Sequence, residues 1–275
     1  LELRRRGFKP TQDEIALTKR QYDFANFTET RDLIAATKPN VLINCAVTRP
    51  QTSASMRHDN PRNHTIVATL VASLELLNQE VQFIQFGSAA EYAPTPMQIT
   101  EENVCEPESS YGEDKLLSTK FLLALKSNIS PVVLRPTTVY GQGQKPDMLI
   151  PAIAQSIATQ HKVLISNPLA VRDFIHVDDV ARACAMLVGD ETTYGEVYNL
   201  ASGNAMTVHS LLVQISEATG INIDQFAELY ENKTPPPKLD SLILSASKLA
   251  STHAWQPEVA LSDGLREVFT NTGRT

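Results

Sequence analysis

Residues Val81–Tyr92 read VQFIQFGSAAEY and join an apolar run to a polar turn. The run Val81–Phe86 predicts a short buried strand. Gly87 and Ser88 follow it directly and indicate a turn. Ligands of open α/β sheets bind beyond the carboxyl ends of the strands, so Ser88 is a candidate ligand for a substrate oxygen. A capping or turn serine is the simpler interpretation of Ser88 taken alone.

Outward from this stretch, apolar runs alternate with helical patterns. We predict strands at Glu14–Thr18, Val41–Ala46, Val81–Phe86, Val132–Arg135 and Val197–Leu200. We predict helices at Thr28–Thr37, Thr65–Gln79, Tyr111–Leu125 and Val177–Val188. This alternation predicts an α/β fold, with a parallel sheet covered by helices on both faces. The regularity weakens after Gly141, where a second, smaller lobe is expected to begin in pieces, and Thr234–Pro237 indicates an extended connection.

Composition limits the functional classes. The 275 residues, 42% of them hydrophobic, suffice for a substantial core, and a net charge of -7 argues against nucleic-acid binding. Cys45, Cys105 and Cys184 lack the paired spacing of a zinc site or a disulfide framework, which favours the reducing cytoplasm. No apolar run approaches the length of a membrane span, and Leu1–Gly7 is too basic and short for a signal peptide.

Tyr111 and Lys115 are the candidate chemical centre. They stand four residues apart at the start of a predicted helix, which places the phenol and the ammonium group on one helical face. A neighbouring positive charge lowers the pKa of a tyrosine and makes it a usable general acid or base. By itself the spacing is equally compatible with a solvated helix face.

Ordered motifs extend through nearly the whole chain. They are Asn44-Cys45-Ala46, Asn63, Ser88 with Tyr92, Tyr111 with Lys115, Leu134-Arg135-Pro136, Val139-Tyr140-Gly141, the run Val171–Val180, Trp255-Gln256-Pro257, Leu261 and Gly264-Leu265. Together they resemble the extended short-chain dehydrogenase/reductase family of nucleotide-sugar epimerases, dehydratases and reductases. The resemblance implies a Rossmann-type doubly wound sheet in 1–143 and 168–208. It also implies a smaller C-terminal substrate-binding lobe in 144–167 and 209–275.

The resemblance also assigns roles to the site residues. Tyr111 is the expected proton donor or acceptor, Lys115 its pKa-lowering partner and ribose anchor, and Ser88 the ligand of a substrate oxygen. The nicotinamide cofactor performs the redox chemistry, so no metal is expected. The expected cofactor-binding residues are Lys19, Arg20, Asp23, Phe24, Cys45, Ala46, Val47, Asn63, Tyr111, Lys115 and Pro136.

The residues after the presumed second strand bear on cofactor choice. Leu17–Arg20 contains no acidic residue to hold ribose hydroxyls, and Lys19 and Arg20 could bind a 2′-phosphate, which favours NADP over NAD. An ordinary basic surface loop is the alternative. Asp23-Phe24 lies where relatives contact adenine, although a simple turn also explains that pair.

Substrate recognition is expected at Ser88, Ala89, Thr138, Arg172 and Lys238. Arg172 resembles the arginine that binds the nucleotide diphosphate, and its alternative is a surface ion pair, for example with Asp173. Thr138 stands where many relatives have Asn, and Lys238 stands where an Arg of the relatives often helps to bind the diphosphate. Relatives are usually homodimers, which is the expected state. His58, His64 and His176 have no metal-like spacing, so a structural or surface role is expected for each.

The turn that follows the predicted strand Val81–Phe86 helps to distinguish which reaction the chain catalyses. Dehydratases of the family carry a Thr, then an acidic pair or Ser-Glu, before the strand-end tyrosine, whereas this chain has Ser88-Ala89-Ala90. Glu91 comes one residue late, and on an extended segment that shift turns a side chain to the opposite face. Dehydration is therefore disfavoured. The pattern resembles reductases of nucleotide-linked 4-keto-6-deoxysugars, such as GDP-4-keto-6-deoxymannose reductases, and 4-epimerases remain a close alternative.

The family's first strand and glycine-rich turn are expected to precede Leu1. Leu1–Gly7 resembles the end of a helix closed by glycine, and none of the 11 glycines forms the expected motif. One hypothesis is an enzyme whose sequence record lacks roughly the first 20 residues, the usual length of a strand, turn and helix start. The other is a shortened, non-catalytic nucleotide-sugar-binding chain, or one completed by another polypeptide.

Overall fold

A computed structural model describes residues 22–47, 63–229 and 240–271. The predicted strand Glu14–Thr18, the stretch Thr234–Pro237 and the residues Lys19, Arg20, His58 and Lys238 lie outside the described residues. By packing, the chain forms two compact units. Unit 1 comprises Leu1–Ala93, Glu101–Pro136 and Arg182–Asn199, and unit 2 comprises Pro94–Thr100, Thr137–Ala181 and Leu200–Thr275. The predicted domain boundaries at 143, 168 and 208 stay a prediction.

The helices of the described chain are α1 (Phe27–Thr37), α2 (Asn63–Glu75), α3 (Ser110–Leu123), α4 (Leu149–Thr159), α5 (Val177–Leu187), α6 (Val208–Thr219), α7 (Ile223–Phe226), α8 (Ser247–His253) and α9 (Leu261–Asn271). Its strands are β1 (Val41–Asn44), β2 (Val81–Phe86), β3 (Gln98–Ile99), β4 (Ile129–Pro136), β5 (Thr138–Tyr140), β6 (Val163–Ile165), β7 (Val171–His176), β8 (Val197–Leu200), β9 (Ala205–Thr207), β10 (Ala227–Leu229) and β11 (Ser241–Leu244).

A four-stranded sheet with the order β1-β2-β4-β8 forms the centre of unit 1. Strand β2 pairs in parallel with both β1 and β4, so Phe83 lies between Leu42 and Pro131. Successive side chains of β2 point to opposite faces. Phe83 packs into a core that α1, α2 and α3 cover, with Ile34, Val67, Leu70, Leu74 and Leu122.

The contacts of Gln82 show that α5 packs on the other face of this sheet. Its Nε2 donates to the carbonyl of Leu187, at the end of α5, over 2.7 Å. Its Oε1 accepts from the amide of Gly189 at 2.8 Å. Helices therefore cover both faces, and the predicted Rossmann-type, doubly wound α/β fold is confirmed.

Most predicted element ends agree with the structure to within a few residues, and local backbone explains the differences. Lys38 has a left-handed φ of 44° and ends α1 where the Lys38-Pro39 pair predicts an end. Helix α2 ends at Glu75 rather than Gln79, because the chain turns at Asn78, whose φ is 51°. Strand β1 ends at Asn44 rather than Ala46, because the Asn44 side chain accepts the Ala46 amide at 3.1 Å and curls the chain.

Unit 2 contains a sheet with the order β3-β11-β7-β5, to which β9 adds by antiparallel pairing with β7, and a parallel pair of β6 with β10. The carboxylate of Asp173 is buried in this unit and accepts the amides of Ser202 and Gly203, each at 2.8 Å. A core of aliphatic and aromatic side chains surrounds Tyr140, Ile153, Phe174, Leu211 and Phe226. Among the described residues, no helix has the length and apolarity to cross a membrane.

Candidate functional site

Ser88 lies directly beyond the carboxyl end of β2 and begins a single turn of 3₁₀ helix, Ala89–Glu91. Its Oγ accepts the Ala90 amide at 3.1 Å, and the Glu91 side chain accepts the Ser88 amide at 2.9 Å. This reciprocal capping confirms that Ser88 is a capping serine. The half-buried hydroxyl still carries its own O–H donor, so capping leaves it the chemical means to bind a substrate oxygen.

Glu91 is fully buried and ion-paired. Its Oε2 accepts from Nε of Arg135 at 2.9 Å, and the side chains are 0% and 5% exposed. The predicted extended conformation of this segment is wrong, because Ala89–Glu91 form a 3₁₀ turn. The turn nevertheless directs the carboxylate inward, toward Arg135.

Tyr111 and Lys115 lie on the first turns of α3, which Ser109 caps by accepting the Gly112 amide at 3.1 Å. The Lys115 ammonium lies 6.0 Å from the centroid of the Tyr111 ring and donates to the carbonyl of Phe86 at 2.7 Å. Lys115 is only 3% exposed, whereas Tyr111 is half-buried. The pair therefore meets the end of β2 at the residue that leads into Gly87 and Ser88.

Gly112 brings α3 still closer to the turn after β2. A Cβ at this position would lie 2.1 Å from the main-chain oxygen of Ala90 and 2.9 Å from the Cβ of Pro107. Only glycine permits this approach without a shift of the backbone. Sequence reasoning did not identify Gly112, although a glycine beside Tyr111 in a helical pattern was an available signal.

A chain of hydrogen bonds ties Lys115 to the neighbouring strand. Asn44 Nδ2 donates to Gln85 Oε1 at 2.8 Å, and Gln85 Nε2 donates to the Phe86 carbonyl at 2.9 Å, the oxygen that also accepts from Lys115. The predicted cofactor residues Cys45, Ala46 and Val47 follow β1, and Pro136 ends β4. Because β1, β2 and β4 are parallel, these residues and Lys115 lie together along the edge of the sheet formed by the carboxyl ends of its strands.

Asn63 opens α2, as predicted, and its amide donates to Asp114 Oδ2 at 2.9 Å. The amide of His64 donates to the other oxygen, Oδ1, at 3.1 Å. Asp114 therefore caps the positive end of α2 from α3 and holds the helix that carries Lys115. Sequence reasoning missed Asp114, although Asp114, Ser118 and Leu122 share the helical spacing of a buried face.

Asp23 and Phe24 form a turn before α1. The Asp23 carboxylate is exposed and accepts the Ala25 amide at 3.1 Å, while Phe24 packs against the core of unit 1. The simple turn is confirmed as their structural role. Their contact with adenine stays a prediction.

Two predicted substrate residues belong to unit 2. Thr138 begins β5 and lies opposite Phe174 of β7. Arg172 pairs with Asp240: its Nη2 contacts the Asp240 carboxylate, and its Nη1 donates to the Asp240 carbonyl at 2.8 Å. The alternative of an ion pair for Arg172 is therefore confirmed, but the suggested partner Asp173 was wrong, because the Asp173 carboxylate is directed to the amides of Ser202 and Gly203.

His176 lies in a polar cluster of unit 2 with Asp178 and Glu267. Its Nδ1 accepts the Asp178 amide at 3.3 Å, and its Nε2 lies 3.8 Å from a carboxylate oxygen of Glu267. One ligand atom from each residue falls within 4.8 Å of the others, so proximity alone would allow a metal ion. Glu267 is far from His176 in the chain, so spacing did not reveal the cluster. The expectation that no metal takes part stays a prediction.

A comparison with known protein families identifies the class of this chain. The sequence profile of the family described as "NAD dependent epimerase/dehydratase family" matches residues 2–201, more than two thirds of the chain. The chain belongs to this family. The predicted relationship to the extended short-chain dehydrogenases/reductases, and thus to the nucleotide-sugar epimerases, dehydratases and reductases, is confirmed.

Individual relatives of this family member are distant. A putative GDP-L-fucose synthase 2 of Arabidopsis thaliana is 29% identical over 144 residues, 49% of this chain and 42% of the relative. A putative UDP-glucose 4-epimerase of Methanocaldococcus jannaschii is 24% identical over 205 residues, 71% of this chain and 65% of the relative. The matched stretch thus spans less than two thirds of either relative.

A solved structure confirms the fold of this family member. The structure of RMD from Pseudomonas aeruginosa, complexed with NADPH, superposes with a TM-score of 0.80 at 20% identity, covering 94% of this chain and 89% of that one. At such low identity the likeness concerns the fold alone.

Proposed function

We propose that the protein is a nicotinamide-dependent oxidoreductase that reduces a nucleotide-linked 4-keto-6-deoxyhexose. The observation that carries the proposal is the bond from Lys115 to the Phe86 carbonyl, with Tyr111 beside the same ammonium. This bond brings the phenol of Tyr111, the buried ammonium of Lys115 and the turn Ser88–Glu91, called the Ser88 turn below, to the edge formed by the carboxyl ends of the parallel strands. Open α/β sheets bind their ligands at that edge.

The residues present fit a nicotinamide dinucleotide. The carboxyl ends of β1, β2 and β4 offer backbone groups at Cys45, Ala46, Val47 and Pro136, and Lys115 offers a buried ammonium with several N–H donors. These residues would hold the cofactor, with Asn63, Asp23 and Phe24 as further contacts. When bound, the cofactor supplies the hydride for the sugar carbon.

The chain's own residues manage the proton. Tyr111 Oη donates a proton to the substrate oxygen as that oxygen gains electron density, while the Lys115 ammonium favours the tyrosinate that is left. Ser88 Oγ donates a hydrogen bond to the same oxygen and orients it. Proton transfer and orientation thus come from α3 and from the turn after β2.

The burial of Glu91 argues against a dehydratase. Dehydration needs a base that removes a proton from carbon and an acid that protonates the departing hydroxyl group. Glu91 is fully buried, and its two carboxylate oxygens already accept from Ser88 and Arg135. Ala89 and Ala90 provide no replacement, which leaves the Ser88, Tyr111 and Lys115 set for reduction or epimerisation.

Cationic side chains are the proposed ligands of the nucleotide diphosphate. We propose that Arg172 and Lys238 bind its phosphates and that Ala89 and Thr138 contact the sugar. Lys19 and Arg20 favour NADP, with NAD as the alternative. The NADPH complex of the Pseudomonas structure supports NADP. The assembly that we propose is a homodimer.

A 4-epimerase is the second candidate. The Methanocaldococcus relative is named as a UDP-glucose 4-epimerase, and its match covers more of this chain than does the Arabidopsis relative's. Epimerisation uses the same serine, tyrosine and lysine but leaves the cofactor unchanged overall.

Measuring NADPH absorbance decides between the two. The protein is mixed with NADPH and a panel of nucleotide-linked 4-keto sugars and, separately, with NAD and the matching 4-hydroxy sugars, because a C4 ketone has no configuration to invert; the products are then analysed. One NADPH oxidised per sugar reduced supports the reductase, whereas sugar product without net oxidation supports the epimerase. Absence of both product and NADPH binding would favour the non-catalytic alternative.

A further inference from the structure

A buried ion pair lies beneath the Ser88 turn. The two carboxylate oxygens of Glu91 have different partners: Oε1 accepts the Ser88 amide at 2.9 Å, and Oε2 accepts from Nε of Arg135 at 2.9 Å. The charges are excluded from water, so their contact is directional and weakly screened. The backbone of Ser88 is thereby attached to the central strand β4.

Arg135 is itself held from two sides. Its Nη1 donates to the Tyr92 hydroxyl at 2.7 Å, and its guanidinium carbon lies 4.8 Å from the Tyr92 ring centroid. The Tyr92 hydroxyl donates to Asn199 Oδ1 at 3.0 Å, on β8. Burial raises the pKa of Tyr92 to about 12, so this hydroxyl stays protonated at neutral pH.

Gly87 provides the space for this arrangement. A Cβ on Gly87 would lie 2.3 Å from Glu91 Oε1 and 3.3 Å from the Cγ of Arg135. The carboxylate is therefore packed directly against the peptide that precedes Ser88. Any larger residue at 87 would displace the carboxylate that fixes the Ser88 amide.

We infer that Glu91 and Arg135 are positioning residues that set the backbone of Ser88, and through it the direction of the Ser88 hydroxyl toward the substrate oxygen. The inference rests on the proposed function for the role of Ser88. A buried ion pair adds little stability over a well-packed apolar pair of equal size. Its distinctive contribution here is the fixed acceptor at the Ser88 amide.

Two double variants separate this role from simple packing. Glu91→Met with Arg135→Met removes both charges and the acceptor. Glu91→Gln with Arg135→Met also removes both charges but keeps an oxygen that accepts the Ser88 amide. Neither leaves an unpaired buried charge, so both are expected to fold, which the melting temperature and circular dichroism check.

In the NADPH assay, we expect Glu91→Met/Arg135→Met to lower kcat about tenfold, with the NADPH Kd unchanged to within about twofold. Glu91→Gln/Arg135→Met should recover kcat to within about threefold of the wild type. In a Ser88→Ala background the difference between the two double variants should vanish, because their effect acts through the Ser88 hydroxyl. Equal kcat values for the two double variants, or a difference that persists in Ser88→Ala, would overturn the inference.

Hydrogen exchange separates failure of the inference from failure of the proposed function. If the wild type reduces no sugar, the proposed reductase is wrong, and amide exchange of the 87–91 segment is then measured without substrate. Faster exchange at Ser88 in Glu91→Met/Arg135→Met than in Glu91→Gln/Arg135→Met supports the positioning role. Equal exchange rates contradict it.

Discussion

Replacing Gly112 with alanine tests whether the contact of α3 with the Ser88 turn governs activity. The new Cβ would lie 2.1 Å from the Ala90 carbonyl oxygen, whereas ordinary contact begins at 3.4 Å. The obstacle is main chain and cannot swing aside as a flexible side chain would. Helix α3 or the turn at Ser88–Glu91 must therefore shift by about 1.3 Å, which changes the position of Tyr111 and Lys115 relative to Ser88.

Two opposing effects set the stability of Gly112→Ala. Overpacking costs about 1–3 kcal/mol, and the better helix propensity of alanine returns about 1 kcal/mol. We therefore expect a net loss of about 0–2 kcal/mol. Activity should suffer more, because misplacing a reacting group by about 1 Å can lower the rate roughly 100-fold.

Urea unfolding and the NADPH assay measure the two effects separately. The matched control is Glu113→Ala, an exposed neighbour in the same helix turn, which should change stability by no more than about 0.5 kcal/mol. Wild-type kcat in Gly112→Ala would refute the link between this contact and catalysis. An unmoved α3 together with an unmoved Ser88–Glu91 turn in a crystal structure of Gly112→Ala would refute the close approach itself.

Three further changes have defined outcomes. Tyr111→Phe should abolish turnover while the Kd for NADPH, measured by fluorescence, stays within about threefold, because only the transferable proton is lost; normal turnover would exclude the proposed role. Asp114→Ala should cost roughly 3 kcal/mol in urea unfolding, because the amides of Asn63 and His64 lose a buried carboxylate, whereas exposed Asp32→Ala should cost under about 0.5 kcal/mol; equal losses would contradict the capping. In the folded chain the pKa of Tyr92 is about 12, whereas in the unfolded chain it is about 10. Between pH 10 and 12 Tyr92 therefore ionises more readily in the unfolded chain, and the free energy of unfolding falls as pH rises, by up to about 3 kcal/mol. Tyr92→Phe should show a shallower loss over that pH range, and an identical slope would contradict the raised pKa.

Local pattern predicted the fold well because short-range forces dominate at its elements. The β2 strand follows from its mostly apolar run and α5 from its helical periodicity, and their bounds in the structure are Val81–Phe86 and Val177–Leu187. Errors occur where the backbone takes an unusual conformation. The left-handed turn at Asn78 shortens α2, and no apolar pattern encodes it.

The site was less predictable because its supports join residues distant in the sequence. Tyr111 and Lys115 were recognisable from their spacing. By contrast, Glu91 meets Arg135 across 44 positions, and Asp114 meets Asn63 across 51. Burial and pairing of such charges depend on tertiary packing, so the sequence alone assigned Glu91 to an extended segment and gave Asp114 no role.

The partner of Lys115 is a main-chain oxygen, that of Phe86. A carbonyl is present whichever amino acid occupies position 86, so no replacement of that side chain removes the acceptor directly. Substitutions of Phe86 therefore leave the hydrogen bond from Lys115 intact as long as the backbone of β2 keeps its path. A substitution of Lys115, in contrast, removes the donor of that bond. The contact made by Lys115 is thus insensitive to which amino acid occupies position 86.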